Sequence, residues 1–209
     1  MNKISAIITS GGSSTRFGSN KLLEKLGDLT VIETTILKFV DVVDEIIIPC
    51  KDDIKEYLLN SKLDLSKIKF TSNGETRQQS VYNGLLACNN PDIVLIHDGA
   101  RPFIDLETIK KTIDLTKEKR AVVVGVKAID TIKEIRDGKI VKTIDRTTIF
   151  QAHTPQAFDF KLIKSIHEKY KNNPNFTDDS SMVEVENIDV YYLEGSKNNI
   201  KITTKEDLA

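Results

Sequence analysis

Short apolar runs alternate with segments of helical periodicity along the first 126 residues of this 209-residue chain. Strands are predicted at residues 4–9, 43–49, 68–71, 92–97 and 121–126, and helices at 30–40, 52–59, 75–88 and 106–116. Repeated strand–helix–strand units build parallel sheets that are covered by helices on both faces. The sequence therefore predicts an α/β fold with a mainly parallel sheet.

The alternation gives way to a β-hairpin after residue 130. Two alternating runs, 131–136 and 139–144, flank Asp137-Gly138, and an Asp-Gly pair in this position strongly favours a two-residue hairpin turn. A two-stranded hairpin of this polarity is too thin to be stable alone. We therefore expect a β-hairpin arm at about residues 131–150, which packs on its own domain or on a second subunit.

The remainder of the chain returns to the α/β pattern. A helix is predicted at residues 159–170, a short helix after Thr177, and strands at 190–193 and 200–203. No repeat, low-complexity tract or linker divides the sequence. The prediction is a single domain over residues 1–209 that carries the arm.

Charge and hydropathy argue against several classes of partner. The 30 Lys and Arg residues nearly balance the 31 Asp and Glu residues, so the net charge of −1 gives no reason to expect nucleic acid or an anionic membrane. The apolar runs are too short to span a bilayer, and no segment like a signal peptide precedes the first strand. Cys50 and Cys88 lack CxxC spacing and fit a reduced, cytoplasmic location.

A loop rich in glycine and serine follows the first strand. It spans residues 10–21 and contains Gly11, Gly12, Ser13, Arg16 and Lys21. Glycines allow backbone N–H groups to approach phosphate closely, and the two cations add positive charge. The loop matches neither the Walker A pattern nor G-x-G-x-x-G. Two interpretations stay open, a phosphate-binding loop and an ordinary turn with solvated cations.

Two further loops carry reactive residue types. Residues 73–80 lead into a predicted helix, and with Thr76 as a candidate N-cap their composition is explained by turn and cap chemistry alone. The motif His-Asp-Gly-Ala-Arg-Pro places Asp98 at the carboxyl end of the fourth strand, a favourable position for a Mg²⁺ ligand or a ribose contact. The alternative is a local ion pair between Asp98 and Arg101.

Polar residues at the ends of the arm and near the C-terminus complete the set of candidates. They are Asp130-Thr131, Asp145-Arg146, Thr154-Pro155-Gln156 and Lys201. Four of the six arginines of this lysine-rich chain also fall in the candidate loops, namely Arg16, Arg77, Arg101 and Arg146. If the loops converge, they form a cationic pocket that suits a polyphosphate substrate.

The ordered set of motifs resembles the 2-C-methyl-D-erythritol 4-phosphate cytidylyltransferase family. The motifs are the Gly-rich loop, Gly-x-x-Arg-x-x-Ser-Val, His-Asp-x-Ala-Arg-Pro, Asp-Thr-Ile-Lys, Asp-Arg…Thr-Pro-Gln and Asn-Ile-Lys-x-Thr…Glu-Asp-Leu, and they cover nearly the whole chain. The resemblance implies a Rossmann-like nucleotidyltransferase fold and a homodimer that exchanges its β-arm. It also implies use of CTP, a sugar-alcohol phosphate and Mg²⁺, with release of pyrophosphate.

The same resemblance assigns roles to individual residues. The loop with Gly11, Gly12, Ser13, Arg16 and Lys21 matches the segment that holds the CTP triphosphate. Gly74, Glu75 and Ser80 match the cytosine-recognition segment, and Asp98 matches the residue that faces the ribose and the metal. The groups around the sugar phosphate are Arg101, Thr131 and Lys201. Arg146 and Thr154 match arm residues that reach into the partner's site. The four residues expected to carry catalysis are Arg16, Lys21, Arg146 and Lys201.

Two rival functions remain beside this expectation. One is a cytidylyltransferase that uses ribitol 5-phosphate, and the other is a non-catalytic nucleotide-binding relative. The motifs Asp-Thr-Ile-Lys and Ile-Asp-Arg are closer to the methylerythritol branch, and the persistence of the charged loop residues argues against a non-catalytic relative. The family mechanism implied is direct attack of the substrate phosphate on the α-phosphorus of CTP, without a covalent enzyme intermediate.

Overall fold

The computed structural model describes residues 2–11, 20–173 and 176–208. Eleven strands are described: β1 Ile4–Thr9, β2 Lys25–Leu26, β3 Leu29–Thr30, β4 Glu45–Cys50, β5 Ile68–Ser72, β6 Ile93–Asp98, β7 Ala121–Lys127, β8 Ile132–Arg136, β9 Lys139–Ile144, β10 Phe150–Asp159 and β11 Tyr191–Glu194. The helices are α1 Val31–Phe39, α2 Asp52–Leu59, α3 Arg77–Ala87, α4 Leu106–Lys119, α5 Phe160–Lys169 and α6 Asp179–Glu184. Short 3-10 turns lie at Lys21–Leu23, Arg146–Thr148 and Lys205–Leu208.

Seven strands form the main sheet, in the order β11-β7-β10-β6-β1-β4-β5. Strand β1 pairs in parallel with β4 and β6, β4 with β5, and β7 with β11. Strand β10 runs antiparallel to both of its neighbours, β6 and β7. The predicted α/β fold with a mainly parallel sheet is confirmed, and the predicted strands and helices of residues 4–126 end within three residues of the observed ones.

Strand β10 is not predicted from the sequence, in which residues 154–156 stand at the return from the expected arm. The segment carries Gln151, His153, Thr154 and Gln156, which do not form an apolar strand pattern. Pro155 has no N–H to give to a ladder, and it falls within the register shift between Ala152 and Gln156. The strand is stable because β6 and β7 flank it on both sides and bury residues 154–158.

The strand predicted at residues 200–203 is wrong. No regular element is formed there, although Ile202 is fully buried and its N–H donates to the carbonyl of Ala100 at 2.8 Å. A buried isoleucine between the exposed Lys201 and the half-buried Thr203 imitates the alternation of a strand. Here that alternation reflects packing against the loop after β6.

The core lies on both faces of the sheet because successive strand residues point to opposite sides. In β1, Ala6 and Ile8 join one apolar cluster, which includes residues of α1, α2 and α4, whereas Ile7 joins the other, which includes residues of α3 and α5. Among the described residues, no helix combines the length and the apolar content needed to cross a bilayer.

Strands β8 and β9 form the predicted hairpin as a separate two-stranded sheet. Asp137 and Gly138 both have positive φ, as a two-residue turn of this kind requires. Ile135, Ile140 and Val141 on this hairpin are 69%, 66% and 53% exposed. The arm therefore presents apolar side chains that its own chain leaves uncovered.

Candidate active site

A pocket of about 570 Å³ opens at the carboxyl ends of β1 and β6, two adjacent parallel strands. Ligand sites of open parallel sheets lie at this edge. The described residues that line it are Thr9, Ser10, Gly11, Lys21, Leu22, Lys51, Asn73, Gly74, Glu75, Thr76, Arg77, Ser80, Asp98, Gly99, Ala100 and Lys201. The loops that the sequence analysis singled out after the first and fourth strands and before α3 thus meet in one cavity.

Asp98 is the last residue of β6 and carries the strongest charge interactions of the pocket. Its Oδ2 lies 3.0 Å from Nζ of Lys201 and 3.3 Å from Nε of Arg101, and its Oδ1 lies 3.6 Å from Nε of Arg77. Burial alone would raise the pKa of Asp98, but the charges of Arg77, Lys201 and Arg101 outweigh it and hold that pKa well below its usual range. The carboxylate is therefore ionised at neutral pH.

A buried hydrogen-bond chain fixes the backbone of Asp98. The N–H of Asp98 donates to Oγ1 of Thr154 at 3.0 Å, and this hydroxyl lies 3.1 Å from Nδ1 of His97. The Nε2 of His97 lies 3.0 Å from the carbonyl oxygen of Arg101. Because that carbonyl can only accept, the chemistry assigns the ring proton to Nε2 and leaves Nδ1 to accept from Thr154. Burial lowers the pKa of His97 to about 4, so the ring is neutral.

Arg101 connects Asp98 to the segment that carries Lys201. Its Nη1 donates to the carbonyl of Asn199 at 2.8 Å, and Nδ2 of Asn199 donates to the carbonyl of Thr154 at 2.8 Å. The Nζ of Lys21 donates to the carbonyl of Ile202 at 2.7 Å. These contacts hold residues 199–202 against the pocket and place the ammonium of Lys201 beside Asp98.

The loop before α3 is held by a second set of contacts around Ser80. The Oγ of Ser80 accepts from the N–H of Gly74 at 3.0 Å and lies 2.9 Å from Oδ1 of Asn73. A Cβ on Gly11 would lie 1.8 Å from that Oδ1, so the glycine is required for Asn73 to reach this position. Thr76 caps α3 by accepting from the N–H of Gln79 at 3.1 Å, which confirms the predicted N-cap.

The structure brings together part of the residue set that the resemblance implied. Gly11, Lys21, Gly74, Glu75, Ser80, Asp98 and Lys201 line the pocket. Arg101 is buried behind Asp98, so the local ion pair considered from sequence is present as well. Gly12, Ser13 and Arg16 lie outside the described residues.

Thr131, which was expected near the sugar phosphate, and Arg146 and Thr154, which were expected on the arm, do not line this pocket. Thr154 lies on β10 inside its own domain, where it is 5% exposed and bonded to Asp98 and His97, rather than on the arm. Thr131 and Arg146 are exposed residues of the arm, and a guanidinium N–H of Arg146 donates to the carbonyl of Ile129. Within one chain, the arm side chains and the pocket are thus separate parts of the described structure.

Lys51, Asn73 and Arg77 are among the lining residues that were not assigned a role from the sequence. Arg77 gave the clearest signal, because it is one of only six arginines and lies at the start of a predicted helix. Lys51 is one of 24 lysines and gave none. The described residues contain no group of three or more His, Cys, Asp or Glu side chains that could hold a metal ion by themselves.

Similarity to known proteins extends over the whole described fold. The family model described as IspD, 2-C-methyl-D-erythritol 4-phosphate cytidylyltransferase, matches residues 4–209. A protein of Clostridioides difficile (strain 630) with that enzyme name is 44% identical, over 98% of this chain and 90% of its own length. A protein of Dictyoglomus thermophilum with the same name is 39% identical, over 100% of this chain and 94% of its own.

Two solved structures resemble this chain over nearly their whole length. The 4-diphosphocytidyl-2C-methyl-D-erythritol synthase of Anaerococcus prevotii DSM 20548 has a TM-score of 0.88 at 36% identity, covering 99% of this chain and 95% of that one. The 2-C-methyl-D-erythritol 4-phosphate cytidylyltransferase of Francisella tularensis has a TM-score of 0.84 at 31% identity, covering 99% and 96%.

Proposed function

We propose that the pocket at the carboxyl ends of β1 and β6 is the catalytic site of this chain, which belongs to the 2-C-methyl-D-erythritol 4-phosphate cytidylyltransferase family. The activity is transfer of the cytidylyl group of CTP to 2-C-methyl-D-erythritol 4-phosphate, a step of isoprenoid biosynthesis. The curated relatives at 37–44% identity carry this enzyme name, and none of their names points to ribitol 5-phosphate or a non-catalytic role. The observation that carries the site assignment is the ionised Asp98 between three cations.

Catalysis in this pocket consists of positioning and charge neutralisation. A phosphate monoester is largely dianionic near neutral pH, since its second pKa is about 6, so it attacks the α-phosphorus without a strong general base. Bringing two polyanions together is the main obstacle, and fixed cations lower it. Lys21 and Lys201 line the described pocket. Arg16 would add positive charge at the triphosphate, and Arg146 would add it at the attacking phosphate.

The loop before α3 is the proposed cytosine subsite. Gly74, Glu75 and Ser80 line the pocket, and the hydroxyl of Ser80 fixes the loop by accepting from the N–H of Gly74 and bonding to Oδ1 of Asn73. Uracil reverses the hydrogen-bond polarity at the 4-position of the base, and a purine is larger. A site built to pair with cytosine leaves its own polar groups unpaired when it meets uracil, which discriminates strongly.

Asp98 is the proposed protein ligand of magnesium. Mg²⁺ is typically held by one or two carboxylates together with substrate phosphates, so the ionised carboxylate of Asp98 on the pocket wall fits this donor set. A bound Mg²⁺ would neutralise phosphate charge during transfer. Lys201 and Arg101 keep Asp98 charged and oriented toward the pocket.

The active unit is proposed to be a homodimer that exchanges its arms. The exposed apolar residues of β8 and β9 need a cover, and Thr131 and Arg146 lie on the arm rather than in the pocket of their own chain. An arm that crosses to a second copy buries its apolar face and delivers both polar residues to the partner's sugar-phosphate subsite. We also propose a cytoplasmic location, with which the two free, buried thiols of Cys50 and Cys88 agree.

Substrate selectivity tests the proposed site. Pyrophosphate release is measured with CTP, UTP or ATP, and with methylerythritol phosphate or ribitol 5-phosphate. We expect turnover with CTP and methylerythritol phosphate, and rates lower by about 100-fold or more with UTP or ATP. Comparable use of UTP contradicts the assignment of Gly74, Glu75 and Ser80. Preference for ribitol 5-phosphate contradicts the assignment of the sugar subsite.

A further inference from the structure

Arg77 lies between two buried carboxylates that belong to different parts of the fold. Its Nη1 donates to Oδ2 of Asp179 at 2.7 Å, and its Nε lies 3.6 Å from Oδ1 of Asp98. Asp98 ends β6 in the pocket, whereas Asp179 begins α6 and is 1% exposed. The guanidinium is therefore the physical connection between α6 and the carboxylate proposed to act in catalysis.

The two oxygens of Asp98 have different partners. Lys201 and Arg101 both approach Oδ2, while Arg77 faces Oδ1. The direction in which the Oδ1 lone pairs point thus depends on where Arg77 stands. A planar guanidinium can serve two carboxylates at once through different N–H groups, which a lysine ammonium at the end of a flexible chain cannot do with the same geometry.

Asp179 is itself fixed on both of its oxygens. Its Oδ1 lies 3.1 Å from Nε2 of His167, a fully buried residue of α5, while Oδ2 accepts from Arg77. Burial alone would raise the pKa of Asp179, but Arg77 and His167 lower it, so the carboxylate stays ionised. The ring of His167 is parallel to that of Tyr82 on α3, with centroids 6.5 Å apart.

We propose that Asp179, supported by His167, is a positioning residue for cytidylyl transfer that holds Arg77 against Oδ1 of Asp98. This inference rests on the proposed catalytic role of Asp98. Without Arg77, the carboxylate of Asp98 is held at Oδ2 alone and spends less time in the productive orientation, so the loss falls on turnover rather than on nucleotide binding.

A purely structural salt bridge is the competing explanation, because a buried arginine needs a counter-charge whatever its function. The two explanations differ in kinetics. A structural pair lowers the unfolding temperature and leaves the turnover of the folded protein unchanged. A positioning pair lowers kcat in protein that is fully folded at the assay temperature.

The test is a double-mutant cycle between Asp179→Asn and Arg77→Gln in the full chain. Each single variant is expected to lower kcat about tenfold or more with less than about a threefold change in KM for CTP. Because both act through one contact, the double variant is expected to lie within about threefold of the worse single variant. Unfolding temperatures measured in parallel show that each protein is folded during the assay.

Asp178→Asn is the matched control. Asp178 precedes Asp179, loses the same charge on substitution, and its carboxylate accepts from Gln156 and caps α6 rather than bonding to Arg77. Asparagine preserves the cap, so turnover within about twofold of wild type is expected. A fall in kcat equal to that of Asp179→Asn overturns the proposal, because it shows that loss of any charge on this turn suffices.

The remaining outcomes separate this inference from the site assignment. Wild-type kcat in folded Asp179→Asn overturns the positioning role. A double variant whose loss of kcat equals the product of the two single losses overturns it as well. If Asp98→Asn is also fully active, the site assignment fails as well, whereas an inactive Asp98→Asn leaves it standing. Should Asp179→Asn not fold, Arg77→Lys carries the test. That variant keeps the charge but not the two-sided contact, so wild-type kcat in it overturns the proposal.

Discussion

The Nζ of Lys201 lies 3.0 Å from Oδ2 of Asp98, although the two residues come from distant parts of the chain. Lys201 is held there by a segment that is itself bonded to Arg101 and Lys21. A carboxylate so close to a lysine and an arginine stays ionised, and its pKa well below the usual range makes it a poor general base. Its role in the pocket is therefore electrostatic.

Replacement of Asp98 by asparagine tests this electrostatic role. The side chains have the same shape, and the backbone N–H of Asp98 keeps its bond to Thr154. The variant is therefore expected to fold, yet to lose cytidylyltransferase activity by about 100-fold or more because the charge is gone. Pyrophosphate release measures activity, and circular dichroism with thermal unfolding measures the fold.

Asp114→Asn provides the matched control for that substitution. Asp114 is an exposed residue of α4 whose contact is a surface ion pair with Lys117. Its loss is expected to leave turnover within about twofold, since exposed pairs contribute little. Near-normal turnover of soluble Asp98→Asn at ordinary Mg²⁺ concentration would rule out the site assignment.

Substitution of Gly11 by alanine tests the contact between the loop after β1 and the loop before α3. The new Cβ would lie 1.8 Å from Oδ1 of Asn73, so Asn73 must move and its contact with Ser80 is lost. We expect KM for CTP to rise about tenfold. The combined variant Gly11→Ala, Asn73→Ala removes the clash, and its KM is expected to equal that of Asn73→Ala alone. An additive effect of the two substitutions contradicts this account.

The buried ring of His97 makes stability depend on pH. In the folded chain its pKa is about 4, because burial disfavours the charged ring, whereas an unfolded histidine titrates near 6.5. Between these values the unfolded chain binds more protons, so the free energy of unfolding falls as the pH falls. Its contribution is expected to drop by about 2 kcal/mol from pH 7 to pH 5.

The variant His97→Gln isolates that contribution. It is less stable than wild type at pH 7 because the bonds to Thr154 and Arg101 change. However, the difference between the two proteins is expected to shrink on acidification, since the variant has no ring to protonate. Urea unfolding at pH 7 and pH 5 gives the four free energies needed. A constant difference between the proteins contradicts the assignment of a neutral, buried His97.

The edge of the sheet that carries the site could be predicted from the sequence for a physical reason. Strand ends such as that of β6 are recognised from apolar runs, and the carboxyl ends of parallel strands meet at one edge. The loop before α3 was explained by turn and cap chemistry alone, whereas Asp98 and the loop after β1 were expected at this edge from local pattern. Lys201 was not, because its position depends on a non-regular segment held by contacts to Arg101 and Lys21.

Two other features lay beyond local patterns. Strand β10 owes its stability to its neighbours β6 and β7, so its polar sequence gave no strand signal. The position of Thr154 likewise depends on tertiary contacts to Asp98 and His97. The family resemblance implied a position on the arm instead. Long-range pairing decides such positions, and periodicity reports only on the local chain.

The arm leads to the prediction that each active site is built from two subunits. Arg146 is exposed on its own chain and outside the pocket, while Lys201 lies in the pocket beside Asp98. Arg146→Ala and Lys201→Ala are each expected to be nearly inactive. If the arm crosses, a mixed dimer of the two variants has one site with both defects and one site with neither.

Mixing the two variants under conditions of subunit exchange tests this arrangement. Random exchange makes half of the dimers mixed, and each mixed dimer has one intact site, so up to about a quarter of wild-type activity is expected to return. Asp98→Asn mixed with Lys201→Ala is the control, because both residues lie in the pocket of one chain. Whichever variant supplies the pocket, that pocket carries a defect, so no intact site can form. Mass spectrometry verifies the exchange. If verified exchange restores no activity, or if the protein is an active monomer at assay concentration, the shared site is contradicted and Arg146 acts within its own chain.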